Sequence, residues 1–162
     1  MFEIVNAMSA PNLSGIIYTG KPRQYRADCQ AGMFKIGASK MVGKSLRMEV
    51  LAWGVFEEEL FGYPFQPWVG IIFIDPSNIV SQVLLKTESL DNFVNLTLEK
   101  AQEGIGIGQG ITTATMSKRA SRAGTAYYAV EFDWEPNQPE RLLEIAEFAQ
   151  TNLELDKLQL HP

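Results

Sequence analysis

The sequence predicts a mainly β domain with two helices, and three observations carry that prediction. Apolar and polar residues alternate over Leu46–Phe56, over Ile111–Ser117 and over Tyr127–Trp134. Trp68–Ile74 is an unbroken apolar run of the kind a buried strand makes. The period lengthens to that of a helix in only two places, after Thr87 and after Pro139.

The elements follow in chain order. Residues 1–31, punctuated by Pro11, Gly15, Gly20 and Pro22, read as an irregular arm with one short strand at Gly15–Thr19. Met33–Gly37 opens the domain as a strand. Leu46–Phe56 is a long strand with Leu46, Met48, Val50, Ala52 and Phe56 on one face and Arg47, Glu49, Leu51, Trp53 and Val55 on the other. Trp68–Ile74 and Ile79–Leu85 form a hairpin around Asp75-Pro-Ser-Asn78, where the proline presets φ for a β-turn.

A helix then starts with Thr87 or Ser89 as N-cap, buries Leu90, Phe93, Val94, Leu98 and Ala101, and stops at Gly104. Gly104–Gly110 is a flexible connector: a glycine run between a helix and a strand has the reverse of the order that pyrophosphate binding needs. The second helix, Pro139–Thr151, has proline in its first turn and Asn137/Glu140 at capping-box spacing. Leu142, Ile145, Ala146 and Ala149 are its expected contacts with the sheet. The domain therefore spans residues 32–152, with an arm at 1–31 and a tail at 153–162.

A length of 162 residues with 46% hydrophobic and 20% charged residues suits one folded domain with its own core. Cys29 is the sole cysteine, so no intramolecular disulfide forms. His161 is the sole histidine, which excludes His-based triads, and with one cysteine no zinc site assembles. The N-terminus lacks a signal-peptide pattern, and no apolar run is long enough to span a bilayer as a helix. A cytoplasmic protein without membrane association, cofactor or metal is expected.

Two patterns invite a catalytic reading. Ala38-Ser-Lys-Met-Val-Gly-Lys-Ser45 matches a permissive phosphate-binding loop, and Ile71–Asp75 resembles the metal-positioning strand of the P-loop nucleotidases. The resemblance implies Lys44 on phosphates, Ser45 on magnesium and Asp75 behind it. Against it, residues 38–42 lack glycine and Leu46–Phe56 alternates as a strand where a helix is required. The reading these objections favour is a polar β-turn, Ser39–Ser45, between two strands. Glu57-Glu-Glu59 reads as a solvated strand end rather than paired catalytic carboxylates.

Charge points elsewhere. The net charge is −5, yet residues 1–122 hold 12 Lys/Arg against 11 Asp/Glu, while 123–162 hold 2 against 8. On this near-neutral body Lys118, Arg119 and Arg122 crowd the tip of a hairpin, and Lys21, Arg23 and Arg26 flank Tyr25. Concentrated cations on an acidic protein suit an anionic polymer, and an aromatic ring among cations suits a single strand, whose bases stack while its phosphates are neutralised. Arg47 with Trp53, and Tyr127 with Glu131 and Asp133, share faces that would expose both rings for stacking, whereas Tyr128, Phe132 and Trp134 share theirs with Val130 and belong to the core.

In element order, basic ribbon and acidic C-terminal end, residues 32–134 resemble the single-stranded-DNA-binding OB proteins. The resemblance implies an OB-like barrel with a basic β-hairpin and a C-terminal helix. It implies a non-enzymatic DNA-binding role in replication or recombination, and the basic clusters and half-exposed rings assign the contacts to Lys21, Arg23, Tyr25, Arg26, Arg47, Trp53, Lys118, Arg119, Arg122 and Tyr127. It also implies a protein partner for the acidic C-terminal region, and a homo-oligomer is a separate expectation. The rival expectations are a P-loop enzyme and an assembly protein that makes protein contacts only.

Overall fold

The structure is a computed structural model and describes residues 15–153. Strands make up 49% of it and helices 24%, so the predicted class holds: a mainly β fold whose one sheet curls into a half-barrel, with two helices. The strands are β1 (Arg23–Asp28), β2 (Met33–Ile36), β3 (Lys40–Gly43), β4 (Ser45–Glu58), β5 (Gln66–Ile74), β6 (Val80–Lys86), β7 (Gly110–Ala120) and β8 (Ala126–Pro136). The helices are α1 (Thr87–Gln102) and α2 (Pro139–Asn152). Across the sheet the order is β3-β2-β1-β6-β5-β4-β7-β8, antiparallel except where β1 runs parallel to β6.

The inner face of the curl is the core. Leu46, Met48, Val50, Val69, Ile71, Phe73, Val83, Leu85, Ala114, Met116 and Val130 lie buried there with Phe93 of α1. At one end of the sheet β8 would leave its outer edge open, a surface that invites unwanted pairing. Polar groups of α1 close it: the Val130 N–H donates to Ser89 Oγ at 2.9 Å, and Asn92 donates to the Val130 carbonyl at 2.9 Å. The turn between β1 and β2 completes the closure, because the Tyr128 N–H donates to the Cys29 carbonyl at 2.8 Å.

This closure explains where the sequence-based helix reading departs from the structure. The inward stripe of α1 is centred on Ser89, Phe93 and Thr97, not on Leu98 and Ala101, which are exposed. Ser89 faces inward because it satisfies the strand edge, whereas the Thr97 hydroxyl donates to the Val94 carbonyl of its own helix at 2.7 Å. Neither Thr87 nor Ser89 caps the helix: the N-cap is Lys86, without a side-chain bond, and Thr87 itself has a φ of 51°.

Other expectations need similar correction. Residues 23–28, read as arm, form the strand between β2 and β6. Strand β4 contains a bulge between Val50 and Ala52, so its alternation changes phase. Trp53 therefore pairs with core residue Ile71 and shares the inner face with Val50, not the outer face with Arg47. Asn137 and Glu140 make no capping box: Gln138 is the N-cap and the Asn137 amide donates to Glu49 at 2.7 Å. Along α2, Ile145 is buried as expected but Ala146 is exposed.

The glycine-rich connector is packed rather than loose. Ile107 is buried, and a side chain at Gly110 would collide with the Trp134 ring. The Ala38–Ser45 pattern forms a turn and β3 and then enters β4, so no helix follows Ser45. The turn at Asp75–Asn78 forms as expected, closed by the Asn78 N–H on the Asp75 carbonyl at 2.9 Å. Glu57, Glu58 and Glu59 are exposed at the strand end. His161 lies outside the described residues.

Candidate nucleic-acid interface

A cleft of about 600 Å³ lies between the loop that joins β4 to β5, the strands β1 and β6, and the start of β8. The loop supplies Phe61 and Tyr63, which are 40% and 38% exposed and pack edge-on against the buried ring of Trp68 at 5.8 and 6.2 Å. Gly62 lets the loop turn back on itself with a φ of 81°, and Phe61 adopts a φ of 53° beside it. Trp68 is fixed in turn by donating its indole N–H to the Glu58 carbonyl at 3.1 Å.

Two cations lie on these rings. The Arg26 guanidinium sits 4.3 Å from the Phe61 centroid, and the Lys86 ammonium 4.0 Å from that of Tyr63. Neither makes an ion pair among the described residues. Lys35 also lines the cleft but is matched by Asp28 at 2.8 Å. That lysine and the Ala31 and Gln30 N–H groups hold the Asp28 carboxyl below its ordinary range. Tyr127 and Tyr128 of β8 line the cleft as well. Tyr128 is held against Gly32, where an added Cβ would come within 2.7 Å of the ring. Cys29 lines the cleft as well, and burial pushes its thiol up, away from the thiolate.

The structure brings some of the sequence-predicted residues to this cleft and leaves others away from it. Tyr25, Arg26 and Tyr127 line it. Tyr25, however, is 5% exposed rather than an open stacking platform. Its hydroxyl donates to Asp75 at 2.7 Å, and burial followed by that bond and the Asp75 charge raises its pKa. Arg23 lies 3.6 Å from the same carboxylate, which also accepts Ser81 Oγ at 3.3 Å and the Ser77 and Ile79 N–H groups at 2.9 Å. Lys21 is exposed just before β1. Arg47 is exposed on β4 opposite Thr113, and Trp53 is 40% exposed with its ring edge-on to Phe93 at 5.8 Å.

At the tip of the β7–β8 hairpin, Lys118 and Arg122 are exposed and free of ion pairs among the described residues. Arg119 differs from both. It bridges Glu131 on β8 and Glu88 in the first turn of α1, the latter at 3.1 Å, and the Glu131 bond chiefly raises its pKa. Arg119 is thus a tether between the hairpin and the cleft rim, where Glu88 lies.

Sequence reasoning missed Phe61, Tyr63, Trp68 and Lys86. The aromatic run Phe61-Gly-Tyr-Pro-Phe65 was the available signal: three rings in a Gly/Pro loop have no strand face to bury them. Among the described residues, no group of three or more His, Cys, Asp or Glu could hold a metal ion. No helix there is long and apolar enough to cross a membrane. Comparison with known proteins finds no matching family model, no matching curated protein and no matching solved structure.

Proposed function

We propose that this protein is a non-enzymatic, single-stranded nucleic-acid-binding module of the replication or recombination kind, with DNA as its ligand. The observation that carries this reading is the cleft, where Arg26 and Lys86, without an ion pair among the described residues, lie on the faces of Phe61 and Tyr63. Cations for phosphates beside rings for bases are the two elements of sequence-tolerant single-strand recognition. Lys118 and Arg122 extend the basic surface along the hairpin, with Lys21 near the start of β1. The resemblance to OB-type binders supports the same reading through the curled sheet. A cytoplasmic location and a partner for the acidic C-terminal region belong to this reading too.

Fluorescence-anisotropy titrations with labelled single and double strands at two salt concentrations test it. Tighter binding of the single strand, weakening steeply with salt as counterions are released, is expected. Equal affinity for duplex, or no saturable binding at low salt, contradicts it.

One observation favours a second reading, an assembly protein that makes protein contacts. Among the described residues strand β3 is an edge of the sheet without a further strand beside it, and Met41 is 62% and Val42 39% exposed. Sedimentation at increasing concentration, with Met41→Lys as the control, distinguishes self-association through this edge from nucleic-acid binding. The expected homo-oligomer would use the same edge.

A further inference from the structure

We propose that the cleft seats an unpaired nucleobase, with its flanking phosphates on Arg26 and Lys86, so that access rather than sequence excludes double strands. This rests on the single-strand reading above and adds where the base goes.

Three observations converge on it. The first is size. A volume of about 600 Å³ is that of a small-molecule site and admits one or two nucleotides, not a base-paired stack. The second is wall chemistry. Phe61 and Tyr63 come from the loop between β4 and β5 and Tyr127 and Tyr128 from β8, so aromatic residues of two elements line the cleft a planar base would enter. Arg26 and Lys86 ride on those rings at 4.3 and 4.0 Å, which places both charges at the cleft and not along a convex ridge.

The third observation is preorganisation. Among the described residues three non-glycine residues have positive φ, and two of them, Phe61 and Thr87, line this cleft. A β-branched threonine in the left-handed region persists only where its surroundings dictate it, and such positions cluster at functional sites. Tyr128 is held in place by Gly32 behind its ring and by its own N–H on Cys29. The cleft is therefore shaped before a ligand arrives. A surface that merely tracked phosphates would need none of these constraints.

The test uses the full chain and three labelled probes: oligo(dT), an abasic sugar–phosphate strand of the same length, and a duplex. Wild type is expected to bind oligo(dT) about 5- to 100-fold more tightly than the abasic strand, which is what base stacking on aromatic side chains supplies. Tyr63→Leu and Tyr127→Leu keep apolar contacts but remove ring surface. Each is expected to narrow that gap, lowering oligo(dT) affinity more than abasic-strand affinity in a chain that still folds. Equal affinity of wild type for oligo(dT) and the abasic strand overturns the base seat but leaves phosphate-driven single-strand binding standing. A full gap in two folded variants also overturns it, because the bases then stack elsewhere. Absence of binding to any probe overturns the single-strand reading itself.

Discussion

Arg141 of α2 grips Glu49 of β4 through two hydrogen bonds, Nε to Oε2 at 2.9 Å and Nη2 to Oε1 at 2.8 Å. Glu49 is 3% exposed, and Asn137 donates to the same carboxylate. Arg141 also reaches Asn78 in the β5–β6 turn at 2.6 Å and Glu144 on its own helix. This network anchors the C-terminal helix to the sheet. Removing the guanidinium strands a buried carboxylate, so Arg141→Ala is expected to lower stability by about 2–4 kcal/mol in a denaturant melt. A change below experimental error contradicts the anchor.

The same pair sets an acid limit. Burial alone raises the Glu49 carboxyl, but its bonds to Arg141 and Asn137 and the nearby charges of Arg141 and Arg47 outweigh burial and hold it below its ordinary range. In the window between the ordinary carboxylate value, about 4.3, and the depressed folded value, the unfolded chain binds the extra proton. The contribution of Glu49 is therefore full above that window and is lost as pH falls through it. Melts in this range are expected to show a shallower pH slope for Glu49→Gln than for wild type, and parallel curves contradict the assignment.

These two residues also show how far the sequence was legible. The class was readable because alternation and apolar runs report burial directly: Trp68–Ile74 and Pro139–Asn152 fall almost where their patterns place them. Glu49–Arg141 was not readable, since nothing local links residues so far apart in the chain. Trp53 was misplaced because a bulge at Leu51 adds one residue and inverts every later assignment along the strand. Strand β1 was hidden because its inward side chains, Arg23 and Tyr25, serve the buried Asp75 rather than a plain apolar stripe. The cleft escaped for a related reason: Phe61 and Tyr63 come from a loop, and the cations on them from two strands.

At the hairpin, the three cations are expected to behave differently. Lys118→Ala with Arg122→Ala should weaken single-strand binding and reduce the slope of log affinity against log salt by about 1.4, the value for two phosphates. Arg119→Ala should leave that slope nearly intact and instead loosen the hairpin, because its charge is already matched by Glu88 and Glu131. Hydrogen exchange at Tyr127 and Tyr128 reports the loosening. A slope change in Arg119→Ala equal to that of a single lysine removal contradicts the tether.

Trp53 tests the consequence of the bulge. Its ring packs on Phe93 yet remains 40% exposed, so Trp53→Ala should cost about 1–3 kcal/mol of stability, less than a fully buried tryptophan. Single-strand affinity should be retained, since the cleft lies elsewhere. Loss of affinity with an unchanged melt would restore Trp53 as a contact residue.

Lys44 separates this account from a nucleotidase. It lies between β3 and β4, with no helix following to present N–H groups to a phosphate. Titration with ATP and magnesium is expected to show no saturable binding that Lys44→Ala removes. Such binding would promote the enzyme reading.

The most direct test of the central claim is the dissociation constant for labelled oligo(dT) of wild type beside an Arg26→Gln/Lys86→Gln double variant, at two salt concentrations. Both residues line the cleft on ring faces, and the substitution removes both charges while keeping a polar side chain. The cleft account predicts at least tenfold weaker binding at low salt, a shallower salt slope and an unchanged melting temperature. Wild-type affinity and slope in a folded double variant would contradict it.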